Sequence, residues 1–294
     1  MAVSAPALDV VIVSYRCEQL LRECLRSLFE NPPAGELTVR VVDNASGDGT
    51  AEMVRREFPR VELTENRANV GFGRANNPAL AHGRAPYALV LNPDTRLTPG
   101  ALDALIAVIE SHPEVAIAGP RLEREDGSFD HASRRAFPTP LSALGHFTGL
   151  GRRQGASGAL AAYRAPEVES GPVDAVNGAF MLIRREALER EGGFDTRYWM
   201  YMEDLDLCHR YAEAGWTTWF EPSVTVVHTK AGTSGEHRSL RLNRAFHYGM
   251  FRFYRDHYAP RRGPLLNLAV YAGIAVKFAA AVASTALARL SGAR

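Results

Sequence analysis

Between residues 8 and 120 the sequence repeats one pattern, in which a short apolar run is followed by a segment with apolar residues at helical spacing. The strand-like runs lie at 10–13, 37–42, 61–63, 88–91 and 115–118, and a helical segment follows each of the first four. Alternation of this kind is typical of a mainly parallel sheet with helices on both faces. We therefore predict an α/β fold.

The run 88–91 (ALVL) is apolar without alternation, which indicates a strand buried on both faces of the sheet. It ends abruptly at Asn92-Pro93-Asp94, because proline has no backbone N–H and cannot continue an interior strand. Asp94 is thus expected at the carboxyl end of a central strand, the edge at which open α/β sheets bind ligands. The alternative is an ordinary turn, since all three residues are common turn formers.

Composition narrows the class of protein. The 294 residues carry a formal net charge of +1, so no global electric field favours a nucleic-acid partner. Three cysteines (Cys17, Cys24 and Cys208) lack a CxxC spacing, which favours a reduced, cytosolic protein over a disulfide framework or a zinc site. The first residues have neither the basic region nor the apolar core of a signal peptide.

Beyond residue 120 the pattern is less regular. Residues 121–172 have little periodicity, and 149–171 is a candidate mobile lid. Further elements are predicted at 176–183 (a strand), 185–190 (a helix) and 219–227 (a strand that ends on His228). Glu203 and Asp204 open another helix, where the helix dipole favours negative charge.

Four of these residues suggest a site. Asp43 and Asp94 both follow parallel strands and so share the ligand edge of the sheet. A carboxylate together with the imidazole of His228 could hold an octahedral divalent ion that keeps positions open for phosphate oxygens. Each residue also has a structural alternative: Asp43 could cap a turn, Asp204 could be a favourable first-turn charge, and His228 could be a packed histidine.

Seven ordered motifs resemble glycosyltransferase family 2, and its bacterial rhamnosyltransferase branch in particular, over residues 9–260. They are VVIVSY, VVDNASGDGT, ENRANVGFGRANN, YALVLNPDT, VNGAFMLIRREAL, GGFDTRYWMYMEDLDLCHR and VVHTKAGTS. The resemblance implies a GT-A fold, with a mainly parallel central sheet flanked by helices. It divides the chain into a nucleotide-sugar-binding half (1–120), an acceptor-binding and catalytic half (121–235) and a helical C-terminal appendage (236–294).

The same resemblance assigns residues to the donor. Those expected around the nucleotide are Ser14, Tyr15, Asp43, Asn69, Gly71 and Asn92. Asp43 would accept a hydrogen bond from the ring N–H of uracil or thymine. Asn92-Pro93-Asp94 occupies the family's DxD position, but its first carboxylate is replaced by Asn92. Asp94 and His228 are therefore the expected ligands of a divalent metal, Mg or Mn.

On the acceptor side the resemblance assigns Glu203-Asp204 to the family's ED pair. Asp204 is expected to be the base that deprotonates the acceptor hydroxyl, while Glu203 orients the base or the acceptor. Asn177, Gly178 and Arg135 are expected to bind the acceptor. Apart from the resemblance, the adjacent pair Arg134-Arg135 could meet the diphosphate of a lipid-linked acceptor, and the alternative is a pair of ordinary surface arginines.

The predicted activity is a metal-dependent, inverting transfer of L-rhamnose from dTDP-rhamnose to a lipid-linked or cell-surface polysaccharide precursor. A family 2 transferase that uses another nucleotide sugar, such as a UDP-hexose, is the nearer alternative. More remote are a nucleotide-dependent oxidoreductase, suggested by Gly71-Phe72-Gly73 although a third glycine is missing, and a non-catalytic glycan-binding protein.

The C-terminal region suggests a membrane partner. Residues 238–262 are rich in arginine and aromatic side chains, and 265–290 are mainly apolar, interrupted by Lys277. This order suits an anionic membrane surface, by an interfacial helix or a single weak span. We expect a cytoplasmic enzyme at the inner face of the cell membrane that meets a polyprenyl-diphosphate-linked acceptor. A packed C-terminal helix or a homo-oligomer contact is the alternative.

Overall fold

A computed structural model of the chain describes residues 7–138, 169–229 and 239–291. The strands are β1 (Leu8–Ser14), β2 (Leu37–Asp43), β3 (Glu62–Glu65), β4 (Tyr87–Leu91), β5 (Thr95–Arg96), β6 (Val115–Glu123), β7 (Arg134–Arg135), β8 (Gly171–Val173), β9 (Ala175–Val176), β10 (Phe180–Arg184) and β11 (Thr217–His228). The helices are α1 (Glu18–Glu30), α2 (Thr50–Glu57), α3 (Phe72–His82), α4 (Ala101–Ser111), α5 (Arg185–Glu191), α6 (Glu203–Glu213), α7 (Leu240–Phe253) and α8 (Pro264–Ser291). Most of the proposed lid, 149–168, lies outside the described residues.

One mixed sheet of nine strands organises the described chain, in the order β3-β2-β1-β4-β10-β6-β11-β5, with β8 paired to β11. Strands β1 to β4 are parallel to their neighbours in this group, as are β6 and β11 to each other. Strand β10 is antiparallel to both β4 and β6, between which it lies. The α/β prediction is confirmed, because the sheet is mostly parallel and carries helices on its faces.

The apolar core lies on both faces of this sheet. All five residues of β4 are buried, as the unalternating run predicted. Leu89 and Leu91 pack with the side chains of α1 and α4, whereas Ala88 and Val90 face α5 and α6 on the other side. The strand therefore ends inside the molecule, which places Asn92 and the residues after it at an interior edge.

One local prediction was wrong and one strand was missed. The strand expected over 176–183 is interrupted at Asn177-Gly178-Ala179, so that β9 pairs with β7 in a separate two-stranded sheet while β10 enters the main sheet. The two-residue strand β5, next to Asp94, was not predicted. Both departures occur where the chain turns around the candidate site.

Helices α7 and α8 pack on each other after the last strand and are joined by a π-helical turn (Tyr254–Tyr258) and a 3₁₀ turn (Ala259–Arg261). The stretch Pro264–Thr285 of α8 is long and apolar enough to cross a membrane, yet only 6% of it is buried. A helix of that composition in a protein core would be mostly covered. Its apolar surface is instead exposed.

Candidate active site

The ends of β1 and β2 form one side of the site. Ser14 and Asp43, the last residues of these strands, are register partners. The backbone N–H of Ser46 donates to Asp43 Oδ2 at 3.2 Å, and the Ser46 hydroxyl contacts the other carboxylate oxygen and accepts from Arg16 N–H at 2.9 Å. Tyr15 directly follows Ser14 and is half-buried. The predicted base-pocket residues of these two strands are thus neighbours.

Asn69 and Gly71 belong to the same cluster through Asn44, which sequence reasoning did not single out. Asn44 Nδ2 donates to Asn69 Oδ1 at 3.1 Å and to the Gly71 carbonyl at 3.4 Å, while its Oδ1 accepts from Val70 N–H at 3.1 Å. Asn44 is 3% exposed. The amide therefore ties the loop after β2 to the loop before α3.

Gly71 is required where it stands for two reasons. Its φ of +93° lies in a region that side chains disfavour, and a Cβ there would collide with the backbone and ring of Trp199. Phe72 N–H donates to the Trp199 carbonyl at 2.9 Å. Because Trp199 lies just before α6, this contact joins the donor side of the site to the helix that carries Glu203 and Asp204.

The expected metal ligands are brought together. His228 Nε2 lies 3.4 Å from Asp94 Oδ1, and both side chains are buried. Asp130, which the irregular sequence of that region gave no reason to select, is 2% exposed and lies on the other side of the ring, with Oδ2 3.6 Å from His228 Nδ1. One imidazole is thus flanked by two carboxylates.

The charges of this trio match a divalent cation. Burial lowers the pKa of His228, but Asp130 and Asp94 outweigh it and raise the pKa to about 9. A divalent cation bound at Nε2 would take the place of the proton that Asp94 faces, while Asp130 holds the other ring nitrogen. Ligand atoms that share an octahedral Mg²⁺ lie about 3 Å apart, because each metal–oxygen distance is about 2.1 Å, and the 3.4 Å between Asp94 and His228 is close to that. The residues therefore fit a divalent ion.

Asp204 is held from three directions. Its Oδ2 accepts from Arg135 Nη2 at 2.5 Å and from Gly178 N–H at 3.0 Å, and its Oδ1 accepts from Leu205 N–H at 2.8 Å. The Arg135 side chain is 15% exposed, so it is not an ordinary surface arginine. Three donors that include a guanidinium stabilise this carboxylate as an anion and fix its orientation.

Glu203, next to it, differs in environment. It is buried, and its Oε2 has no hydrogen-bond partner among the described residues. Burial, and then the negative charge of Asp204, raise the pKa of Glu203 to about 8. The raised pKa favours the protonated form of Glu203 at pH 7.

A short series of hydrogen bonds connects the acidic pair, Glu203 and Asp204, to the segment that carries Asp94. Asn92 N–H donates to the Ala179 carbonyl at 2.9 Å, and Ala179 N–H donates to Asn177 Oδ1 at 2.8 Å. Gly178, between them, holds Asp204. On the other side, Thr229 N–H donates to the Asp94 carbonyl at 3.0 Å.

The donor side lies on the same edge. Ile12 of β1 is the register partner of Leu91 of β4, and the two strands are parallel. Ser14 and Asn92, which come after these partners, therefore lie at the same edge of the sheet. The residues predicted for the donor and the metal thus lie at the carboxyl ends of β1, β2, β4 and β11 and in the loop before α3. Those predicted for the acceptor and for catalysis lie on β7, at the turn between β9 and β10, and at the start of α6. Their individual roles remain predictions.

The sequence of this chain is similar to those of known glycosyltransferases. A family model described as glycosyl transferase family 2 matches residues 9–192. The chain is 34% identical over 268 residues to the N-acetylglucosaminyl-diphospho-decaprenol L-rhamnosyltransferase of Mycobacterium tuberculosis, covering 86% of this chain and 85% of that protein. It is 28% identical over 227 residues to the rhamnosyltransferase WbbL of Escherichia coli, covering 74% of this chain and 82% of that one.

Solved structures share the fold. The mannosyltransferase PcManGT from Pyrobaculum calidifontis, in complex with GDP-Man and Mn²⁺, matches with a TM-score of 0.58 and 21% identity over 98% of this chain and 79% of that one. GalNAc-T7 with UDP, GalNAc and Mn²⁺ matches with a TM-score of 0.61 and 16% identity over 85% of this chain and 48% of that one. The GT-A prediction is confirmed.

Proposed function

The chain belongs to glycosyl transferase family 2 and is a glycosyltransferase, and from that premise we propose that it transfers L-rhamnose from dTDP-L-rhamnose to a polyprenyl-diphosphate-linked saccharide. The observation that supports the assignment best is the single edge that gathers Asp43, Asp94, His228 and Asp204. The names of two relatives support the sugar, and the mycobacterial name supports a lipid-linked acceptor. Family membership sets the oxidoreductase and non-catalytic alternatives aside.

Asp204 is the proposed base. An acceptor hydroxyl is a weak nucleophile, and a positioned carboxylate that takes its proton during attack contributes about 10²–10⁴-fold. Arg135 and Gly178 donate to the Asp204 carboxylate and fix its orientation for this step. A single displacement by the activated hydroxyl inverts the anomeric carbon and requires no covalent intermediate on the protein.

Asp94 and His228 would hold the divalent ion, and Asp130 would fix the orientation of the imidazole. When bound, such an ion neutralises the charge that develops on the leaving nucleoside diphosphate. Mn²⁺ in the two solved neighbours supports the use of a divalent metal here. The carboxylate of Asp94 suits Mg²⁺ and Mn²⁺ alike, and we propose either of these metals.

The base pocket supports a pyrimidine nucleotide. Asp43 retains acceptor capacity beyond the Ser46 contacts, since an ionised carboxylate offers about four lone-pair sites, and it can accept the ring N–H of thymine or uracil. Because both bases present that group alike, a UDP-hexose remains the second candidate donor. Tyr15, which follows Ser14 and is half-buried, would cover the base.

We also propose that α8 attaches the enzyme to the cytoplasmic face of the membrane. Its 28 residues span about 42 Å at about 1.5 Å per residue, more than the roughly 30 Å of a bilayer core. Leu265 is 83% exposed and Val276 is 70% exposed. Arg261 and Arg262, both exposed, lie just before the helix and suit anionic headgroups.

The test is transfer with purified full-length protein, a synthetic polyprenyl-diphosphate N-acetylglucosamine acceptor, and either dTDP-L-rhamnose, UDP-glucose or UDP-galactose. We expect a product heavier by one rhamnose, with chelation abolishing its formation and Mn²⁺ or Mg²⁺ restoring it. A hexose product formed only with a UDP donor would replace dTDP-rhamnose by the second candidate. Activity unaffected by thorough chelation would remove the metal from the proposal.

A further inference from the structure

A cluster of metal-ligand side chains lies on α6, beyond the acidic pair that opens this helix. His209 and Glu213 are one turn apart on α6, and His257 meets them from the π-helical turn after α7. One ligand atom from each of the three side chains lies within 4.8 Å of the other two. Two imidazoles and a carboxylate are a donor set known for Zn²⁺.

His209 is the most informative member. It is 8% exposed, and its Nδ1 is buried without a hydrogen-bond partner among the described residues. Glu213 Oε2 is 3.7 Å from this nitrogen, too far for a hydrogen bond but directed at the same space.

Asp206 orients the imidazole of His257. Its Nε2 lies 2.8 Å from Asp206 Oδ1, and Asp206 is itself fixed by Arg210 at 2.9 Å. A carboxylate that holds one ring nitrogen commonly leaves the other for a metal and sets the ring orientation. Nδ1 of His257 is the ring nitrogen that this hydrogen bond leaves for that role.

We propose that His209, Glu213 and His257 bind Zn²⁺ or a similar transition metal, with water in the fourth position, and so clamp the C-terminal helices to α6. This site is separate from Asp94 and His228 and differs in chemistry, since two imidazoles favour zinc over magnesium. Glu213, whose side chain is 44% exposed, provides the route of entry. Its Oε1 remains bonded to Arg261 at 3.0 Å.

The site has a structural consequence. His209 also packs against Phe253 and Tyr258, with ring centroids 5.5 and 6.0 Å away, so the residues around the cluster join α6 to the end of α7. A metal at this joint would fix the direction in which the exposed helix α8 leaves the catalytic domain. It would act on the stability of that joint and not on the chemistry of transfer.

The experiment uses the full-length protein stripped of metal by a chelator and held in excess Mg²⁺, which occupies sites for hard cations. Co²⁺ is titrated as a spectroscopic probe, because tetrahedral Co²⁺ has strong visible absorption bands, and Zn²⁺ is then added to displace it. We expect one equivalent of Co²⁺ to bind and to be displaced by Zn²⁺, and the melting temperature to rise on adding Zn²⁺.

Four variants decide the result, and Asp94→Asn is the fourth beside those that follow. His209→Gln and Glu213→Gln should weaken Zn²⁺ binding by at least about tenfold and lose the rise in melting temperature, whereas His82→Gln, an exposed histidine on α3, should match the wild type. Glu213 is on the surface, so its substitution leaves the fold intact. Equal binding in all variants, absence of a saturable site in the wild type, or loss of binding only in Asp94→Asn would each overturn the proposal.

Discussion

His228 Nε2 lies 3.4 Å from Asp94 Oδ1, although one residue ends β11 and the other follows β4. The contact depends on the two-residue strand β5, in which Thr95 is the register partner of His228. Since Thr95 directly follows Asp94, this register fixes the imidazole relative to the carboxylate. The pair is therefore set by the backbone of the sheet and not by flexible side chains.

We expect Asp130→Asn to weaken the activating metal by about 10–100-fold, the usual effect of removing a carboxylate that orients a ligating histidine. The check is the Mn²⁺ concentration that gives half-maximal transfer, with Asp126→Asn, in an exposed turn nearby, as the control. Asp94→Asn should have a larger effect. An unchanged metal requirement in Asp130→Asn would show that Asp130 does not position His228.

Replacement of Asp204 by asparagine tests the base. The amide is of similar size but cannot accept the acceptor's proton, so we expect transfer to fall by about 10²–10⁴-fold. Donor affinity, measured by calorimetry with the nucleoside diphosphate, should change little, because no contact from Asp204 reaches Asp43 or Asn69 among those described. Asp103→Asn, on the exposed surface of α4, is the matched control. Near-normal transfer by the variant would assign the base elsewhere.

The sequence predicted the elements whose patterns are local. β4 was recognisable because its apolar run ends at a proline, and α6 because Leu205, Cys208 and Tyr211 share one face. Asp130 was missed because its segment has no periodicity, and its significance comes from His228, which is distant in the chain. Arg135 could not be told from a surface arginine, since only the tertiary fold brings it to Asp204. The insertion of antiparallel β10 into the sheet likewise depends on pairing between distant segments.

The pH dependence of stability tests the environment of Glu203. Its pKa is raised from 4.5 to about 8, so between these values the folded protein binds a proton that the unfolded chain has released. The free energy of unfolding of the wild type therefore falls as pH rises through this window. Above about pH 8, Glu203 is ionised in both states and causes no further loss. Glu203→Gln, which mimics the protonated form, should be the more stable protein, with an advantage that grows from pH 5 to pH 8.

Urea denaturation at pH 5, 6, 7, 8 and 9 measures that difference. Glu186→Gln, at an exposed position on α5, serves as the control and should show no pH-dependent gain. A constant difference between Glu203→Gln and the wild type over the whole range would mean that Glu203 titrates normally in the folded protein.

Comparing Gly71→Ala with Gly100→Ala separates the cost of backbone strain from the cost of a steric collision. Gly100 has a φ of +74° and no neighbouring atom within 4 Å of the place where a Cβ would lie, whereas Gly71 has a φ of +93° and meets Trp199. Gly100→Ala should therefore cost only the strain of a positive φ, about 1 kcal/mol or somewhat more. Gly71→Ala should destabilise further and also weaken nucleotide binding, because Trp199 must move away from the donor loop. Equal losses of unfolding free energy in the two variants would contradict the packing argument.

We expect the exposed apolar face of α8 to be the surface that binds the membrane. We expect the triple variant Leu265→Glu, Leu268→Glu and Val276→Glu to lose co-sedimentation with phosphatidylglycerol vesicles, because each replacement puts a charge where an exposed apolar side chain would contact lipid. Leu240→Glu, at a 47% exposed position on α7, is the matched control and should still bind. Arg262→Ala should weaken binding by about 1 kcal/mol, or about fivefold, and less at high salt. The triple variant should still transfer sugar to a short, water-soluble acceptor, since α8 lies outside the active-site contacts. If the triple variant still sedimented with the vesicles, the membrane contact would lie elsewhere in the protein.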